Sequence, residues 1–147
     1  LDHYFITAEP AEAAMLDAGI VVPGWKRTHF DFKARPAGDS RGLGACRFFG
    51  TPGIGPNSHF HTIDVAECAK VKGNPLWTYE SLAFNIDAAL AEDCPPDRIP
   101  VTRLYNNGMG NAPNHRFTID ANERASLRAT GWTSEGPGLG VGFCAPQ

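Results

Sequence analysis

The feature that most constrains this chain is a motif written three times. His3-Tyr-Phe-Ile-Thr-Ala-Glu-Pro-Ala-Glu12, His59-Phe-His-Thr-Ile-Asp-Val-Ala-Glu67 and His115-Arg-Phe-Thr-Ile-Asp-Ala-Asn-Glu123 carry His, Thr and Glu in the same order. With one extra residue allowed in the first segment, Thr7, Thr62 and Thr118 align, as do Glu12, Glu67 and Glu123, at a period of about 55 residues. A short polar residue precedes each His (Asp2, Ser58 and Asn114). A tryptophan follows each segment (Trp25, Trp77 and Trp132), and Phe32, Phe84 and Phe143 end the three units. Such a period sets the architecture first, because each copy must fold alike and bury its apolar face against its neighbours. The chain therefore reads as one domain over 1–147, with repeats at about 1–45, 46–100 and 101–147.

Each copy has the same local grammar. A short apolar strand opens copies two and three, at 46–49 and 102–105. A Gly/Pro/Asn loop follows, 50–57 or 106–114, so the strand and the His segment read as a hairpin with a long loop. Asp64 and Asp120 then stand three residues before Glu67 and Glu123, a capping-box-like helix start. Glu9 is a weaker cap, but Pro10 follows at a favoured first helical position. Helices are predicted over 10–18, 65–72 and 121–130, ending at Gly19, Gly73 and Gly131, where a left-handed residue is cheap. Ala14, Leu16, Val71, Ala125 and Leu127 are expected to supply their apolar faces, and a Trp strand and a Phe strand to complete each unit. The expected fold is α+β: three strand–strand–helix–strand–strand units about a pseudo-threefold axis, with a β-trefoil as the nearest overall shape. Copy one departs from this, because only Leu1 and Asp2 precede His3 and its first strand is missing. The chain opens at Leu1 and not at a Met, so truncation of a longer polypeptide is the expected cause. The alternative is that another chain's strand fills the open slot.

Composition excludes several classes. Hydrophobic residues make up 42% and charged residues 20%, which is globular and not disordered. A net charge of −3 lacks the basic face of a nucleic-acid binder. No apolar run is long enough to span a bilayer. The four cysteines, Cys46, Cys68, Cys94 and Cys144, have neither C-x-x-C nor zinc-type spacing and read as two disulfides. Of the three possible pairings, Cys46–Cys68 and Cys94–Cys144 keep each bridge within or closing one repeat.

The repeated Asp2-His-Tyr-Phe-Ile-Thr, Ser58-His-Phe-His-Thr and Asn114-His-Arg-Phe-Thr, with Arg103-Leu-Tyr-Asn-Asn and Gly131-Trp-Thr-Ser-Glu-Gly, resemble a bacterial repeat domain of unknown function. That family is typically appended to secreted hydrolases and other extracellular proteins, and the resemblance covers essentially the whole chain. It implies a secreted accessory module that binds glycan or cell surface, and it offers no catalytic residue to carry over. His61 departs from the pattern, which leads one to expect an aromatic such as Tyr, and the absent first strand is a second departure.

The residues allow few chemistries. His59 and His61 stand two apart on a strand and share a face, which can hold a metal, but no third ligand is identifiable. His3, His59 and His115 read as turn-fixing residues, since an active site needs one set of groups and a fold needs three; ligand contact is the other role open to them. Trp25, Trp77 and Trp132 are either core or stacking platforms for sugar rings, and three weak sites would gain avidity on a polymer. The acidic residues fall at helix N-termini, where negative charge is favourable. No cofactor motif is present: the glycine-rich 136–142 stretch has no helix after it. The expectation is a non-catalytic extracellular accessory module for glycan or cell-surface polymer. The alternatives are a structural or self-associating protein completed by strand donation, and a secreted hydrolase.

Overall fold

The computed structural model describes residues 3–20 and 22–147. Asp2, the first of the three residues preceding the repeated His, lies outside them. Helices α1 (Pro10–Asp17), α2 (Val65–Lys72) and α3 (Ala121–Ala129) form where the capping pattern places them. Asp64 and Asp120 accept the Glu67 and Glu123 N–H groups at 2.6 Å. Two residues upstream, the hydroxyls of Thr7, Thr62 and Thr118 accept the N–H groups of Glu9, Asp64 and Asp120 at 3.0–3.1 Å. The aligned threonine is thus a turn former that leads into each helix.

Gly19 and Gly131 are left-handed (φ 64° and 96°), and N–H groups of Ile20 and Trp132 reach back to the carbonyls of Met15 and Leu127. Gly73 departs from the expectation: its φ is −84°, and α2 runs out through a right-handed turn in which Asn74 N–H bonds Val71 C=O. The expected apolar faces also need correction. Leu16, Val71 and Leu127 are half-buried, but Ala14 and Ala125 face solvent. Helices of eight or nine residues are too short to persist alone, and these bury almost nothing (only Cys68). Caps, ion pairs and a disulfide hold them.

Two antiparallel sheets carry the rest. In the first, β1 (Leu43–Gly50) lies between β2 (His59–Thr62) and β3 (Trp77–Ile86). In the second, β4 (Arg98–Tyr105) lies between β5 (His115–Thr118) on one side and β6 (Thr133–Glu135) with β7 (Val141–Pro146) on the other. The β1–β2 connection is as tight as its glycine suggests: a Cβ on Gly50 would lie 1.6 Å from the Pro56 carbonyl oxygen. The expected Trp and Phe strands fuse into one bulged strand, β3, but stay separate as β6 and β7, because the left-handed glycines 136, 138 and 140 turn the chain out between them.

The described residues up to 42 contribute α1 but no strand. The His3 and Trp25 segments, expected as strands, lie without a ladder, since a strand exists only beside a partner and none stands between them. One isolated bridge, Arg35 to Asn85, attaches this part to β3. Among the described residues the sheets do not close into a barrel. The expected trefoil-like shape is not formed, and the molecule is a mixed α/β fold with two open sheets and three short helices.

Phe84, Phe143 and Phe117 fill the space between the sheets with Ala45, Ile86 and Val101; Phe32 packs against them from the first segment. Phe84 meets Phe143 edge-on at 5.7 Å, and Phe117 stacks on Phe143 at 5.0 Å. Cys46 pairs with Cys68 and Cys94 with Cys144, the expected pairing. Asp87 accepts from both ends of the Arg35 guanidinium and from Arg98, latching the first segment to β4. Its carboxyl is held down to about 2, chiefly by the Arg35 hydrogen bonds, with Arg98 helping to outweigh the opposing effect of burial.

Candidate functional site

His59, His61 and His115 border one small cavity, and His3 reaches His59. His59 on β2 and His115 on β5 each approach a carboxylate on the strand across the central one, Glu80 at 3.5 Å and Glu135 at 3.3 Å. His3 Nε2 and His59 Nδ1 share a hydrogen bond at 2.9 Å. His3 and His59 thus bond each other from 56 positions apart, where hydrogen bonds within each unit were expected. The residues preceding them meet in the same way: buried Ser58 donates to buried Asn114 at 3.2 Å.

His61 lies in the core, 1% exposed, between Phe84 and Phe117. It fills an aromatic place, and its Nε2 has no hydrogen-bond partner. Among the described residues no group of three His, Cys, Asp or Glu stands where it could hold a metal ion.

Burial keeps the His61 imidazole neutral far below its usual range, and the charge of nearby His59 and Arg47 adds to this. Burial likewise pushes His59 down to about 3, helped by His3 and Arg47. A histidine whose folded pKa is depressed supports the fold fully above its unfolded pKa. That support is lost as pH falls below it, because only the unfolded chain takes up the proton. Stability should thus drop below about pH 6.5 by up to about 1.4 kcal/mol per pH unit for each such histidine. Urea unfolding of His61→Phe at pH 7 and pH 5.5 should show a slope shallower by about one proton than wild type. Identical slopes would place the protonation elsewhere.

The ion pairs that organise this side were not anticipated. Arg47 on β1 hydrogen-bonds Glu12 of α1 at 2.9 Å and ion-pairs with Glu80 of β3 at 2.9 Å. Arg103 on β4 hydrogen-bonds Glu67 of α2 at 2.8 Å and ion-pairs with Glu135 of β6 at 3.1 Å. Each guanidinium lies 5.3 Å from an aromatic centroid, Phe5 or Phe60. β1 is thereby tied to α1 and β4 to α2. A signal was present: Arg47 and Arg103 hold the same place in 46–49 and 102–105, and Glu80 and Glu135 each follow a tryptophan by three residues. Helix N-termini account for Glu12, Glu67 and Glu123 only in part. For Glu123 the partner comes from a different element, Arg116 of β5, 3% exposed, which donates to Oε1 at 2.9 Å while Glu123 Oε2 stays buried without a hydrogen-bond partner.

The tryptophans are all half-buried, yet their surroundings differ. Trp77 packs on the Cys46–Phe48–Phe60–Cys68 cluster. Trp132 stands edge-on to Tyr4 at 6.1 Å. Trp25 stands edge-on to His3 at 5.2 Å and lines a groove of about 850 Å³ between residues 3–8 and 22–34. Tyr4, Ile6 and Phe30 share its walls, and core residues Phe84 and Phe117 reach it from below, with Arg116. Sequence reasoning marked Trp25 but not the groove.

Among known families, a family model described as a domain of unknown function (DUF5648) matches residues 2–141. The chain belongs to the DUF5648 family. No significant match to a curated protein or to a solved structure was found for this DUF5648 chain. Its two disulfides suit an oxidising compartment. No helix among the described residues is long and apolar enough to cross a membrane.

Proposed function

We propose that this DUF5648 domain is a non-catalytic binding module of an extracellular protein, built from three diverged units, with the groove beside Trp25 as its ligand site. The groove carries the reading: it combines an aromatic face, polar neighbours and a route to the core, at a volume typical of binding sites. The matching Thr turns, the Asp caps of α2 and α3, and the paired Arg–Glu clusters support the three-unit description. The two disulfides support secretion, and attachment to a secreted enzyme is the role the resemblance implies. That resemblance makes glycan or cell-surface polymer the first ligand class to test.

The test is a glycan and cell-wall polysaccharide panel run on wild type, Trp25→Ala and Trp77→Ala, with circular dichroism on each. Trp25→Ala should abolish binding in a folded protein. Trp77→Ala should keep binding and lose about 2 kcal/mol of stability, since it packs on a core cluster. Binding that survives Trp25→Ala would move the site out of the groove.

A further inference from the structure

We propose that Asn107 is a modification site, a spontaneous deamidation gated by the fold, whose product loosens strand β6 from β4. Asn107 is exposed and precedes Gly108, and both residues are left-handed, with φ 55° and 69°. Asn-Gly is the pair that takes two such positions in a tight turn. The same pair sets a side-chain amide beside a main-chain nitrogen that no Cβ shields. In the reaction the Gly108 nitrogen attacks Asn107 Cγ. The N–Cγ bond forms, the Cγ–Nδ2 bond breaks, and the proton of the attacking nitrogen leaves with the amide group as ammonia. Solvent water then opens the cyclic imide at either carbonyl. One product is aspartate, and the other is its isomer, in which the main chain runs through the side-chain carboxyl. No oxidant, reductant or further reactant is required.

The corner does not depend on this amide for its shape. In the first sheet Phe49 pairs with Thr78, and Thr51, two residues on, closes the corner by a hydroxyl bond to Thr78 at 3.0 Å. In the second sheet Tyr105 pairs with Thr133, and Asn107, two residues on, takes the place of Thr51. Its Nδ2 donates to Thr133 Oγ1 at 2.7 Å and to the Gly131 carbonyl at 2.8 Å. Gly108 N–H donates to Asn106 Oδ1 at 3.0 Å. The leaving group and the attacking nitrogen are thus both engaged, so the folded protein reacts when the 106–114 loop opens. The product then changes what the corner can hold, because a carboxylate only accepts hydrogen bonds. Thr133 can turn its hydroxyl toward it, but the Gly131 carbonyl has no proton to give and faces a negative charge. Gly131 and Thr133 join α3 to β6, and β6 pairs with β4 through Thr133, Ser134 and Glu135 alone. Glu135 is also the carboxylate that reaches Arg103 and His115. Loss of ammonia makes the change one-way, so molecules with a loosened β6 accumulate with age.

The test incubates the whole 147-residue protein, its Thr133→Val and Thr133→Ser variants, and a synthetic peptide of residues 103–112 side by side in mildly alkaline buffer. Peptide mapping by mass spectrometry locates the modified residue, and circular dichroism checks that each variant is folded. The peptide should deamidate at Asn107 roughly tenfold faster than the protein, since it has no loop to open. Thr133→Val removes one acceptor of Nδ2 and should speed the folded protein roughly fivefold, whereas Thr133→Ser should keep the wild-type rate. Asn107→Asp carries the product and should speed amide exchange over 131–135 roughly tenfold. Equal rates in peptide and protein, or in folded Thr133→Val and wild type, overturn the gate. No product in the peptide, or modification of Asn106, Asn111 or Asn114 in place of Asn107, overturns the site. Unchanged exchange in Asn107→Asp overturns the loosening of β6. If Thr133→Val does not fold, the comparison of peptide with protein decides the gate.

Discussion

Replacing Cys94 and Cys144 together by alanine should lower the thermal midpoint by about 10–15 °C. The bridge closes a separation of 50 residues, and cross-linking a loop of that length restricts the unfolded chain by about 4 kcal/mol. A chain of this size loses roughly 2–4 °C per kcal/mol. The bridge ties the 87–97 loop to β7, the strand that brings Phe143 into the core. Removing Cys46 and Cys68, separated by 22 residues, should cost about 3 kcal/mol and act more locally. It would release α2 from β1, which amide exchange on 65–72 should register. Differential scanning calorimetry of both double variants checks the order. Equal midpoints for the Cys94/Cys144 variant and wild type would mean that the native contacts around β7 already hold the loop without the bond.

Arg103→Met should cost about 2–4 kcal/mol, the second largest effect expected from a surface-to-core contact. Its side chain is 14% exposed and bonds two carboxylates, each about one-third exposed, so the loss leaves two half-buried negative charges facing each other. Partial solvent access places the figure below that of a fully buried pair. Adding Glu135→Gln to the Met variant should recover part of the loss by removing one orphaned charge, and urea denaturation of the four proteins of this cycle measures the coupling. If Arg103→Met alone costs nothing, the arginine is replaceable packing and the ion pairs do not organise the fold.

Much of the local structure was legible because it depends on neighbours in sequence. Asp64 and Asp120 cap helices by bonding N–H groups three residues away, and Pro10 starts one by its own geometry. Cysteine count and spacing pointed to two disulfides and favoured one of three pairings, and the structure has that pairing. The misreadings fell where distant residues decide. Gly73 had the composition of a left-handed cap but ends α2 in a right-handed turn. Ala14 and Ala125 had helical periodicity, yet nothing packs against them. His61 stands where an aromatic such as Tyr is expected, but only the fold shows that it takes that place between Phe84 and Phe117, where burial keeps it neutral.

By itself the sequence marked where the helices start and that the four cysteines form two disulfides. Each follows from local bonding rules or from spacing, and neither needs coordinates. Only the tertiary structure decided how the His3 and Trp25 segments lie. Strand formation depends on a partner's hydrogen bonds, so the His3 and Trp25 segments lose their ladder and leave a groove. Their equivalents at His59 and Trp77, or at His115 and Trp132, close on a central strand. The Arg–Glu pairs and the contrast among three similar tryptophans likewise depend on residues some 30 to 130 positions apart meeting in space, which no local spacing encodes.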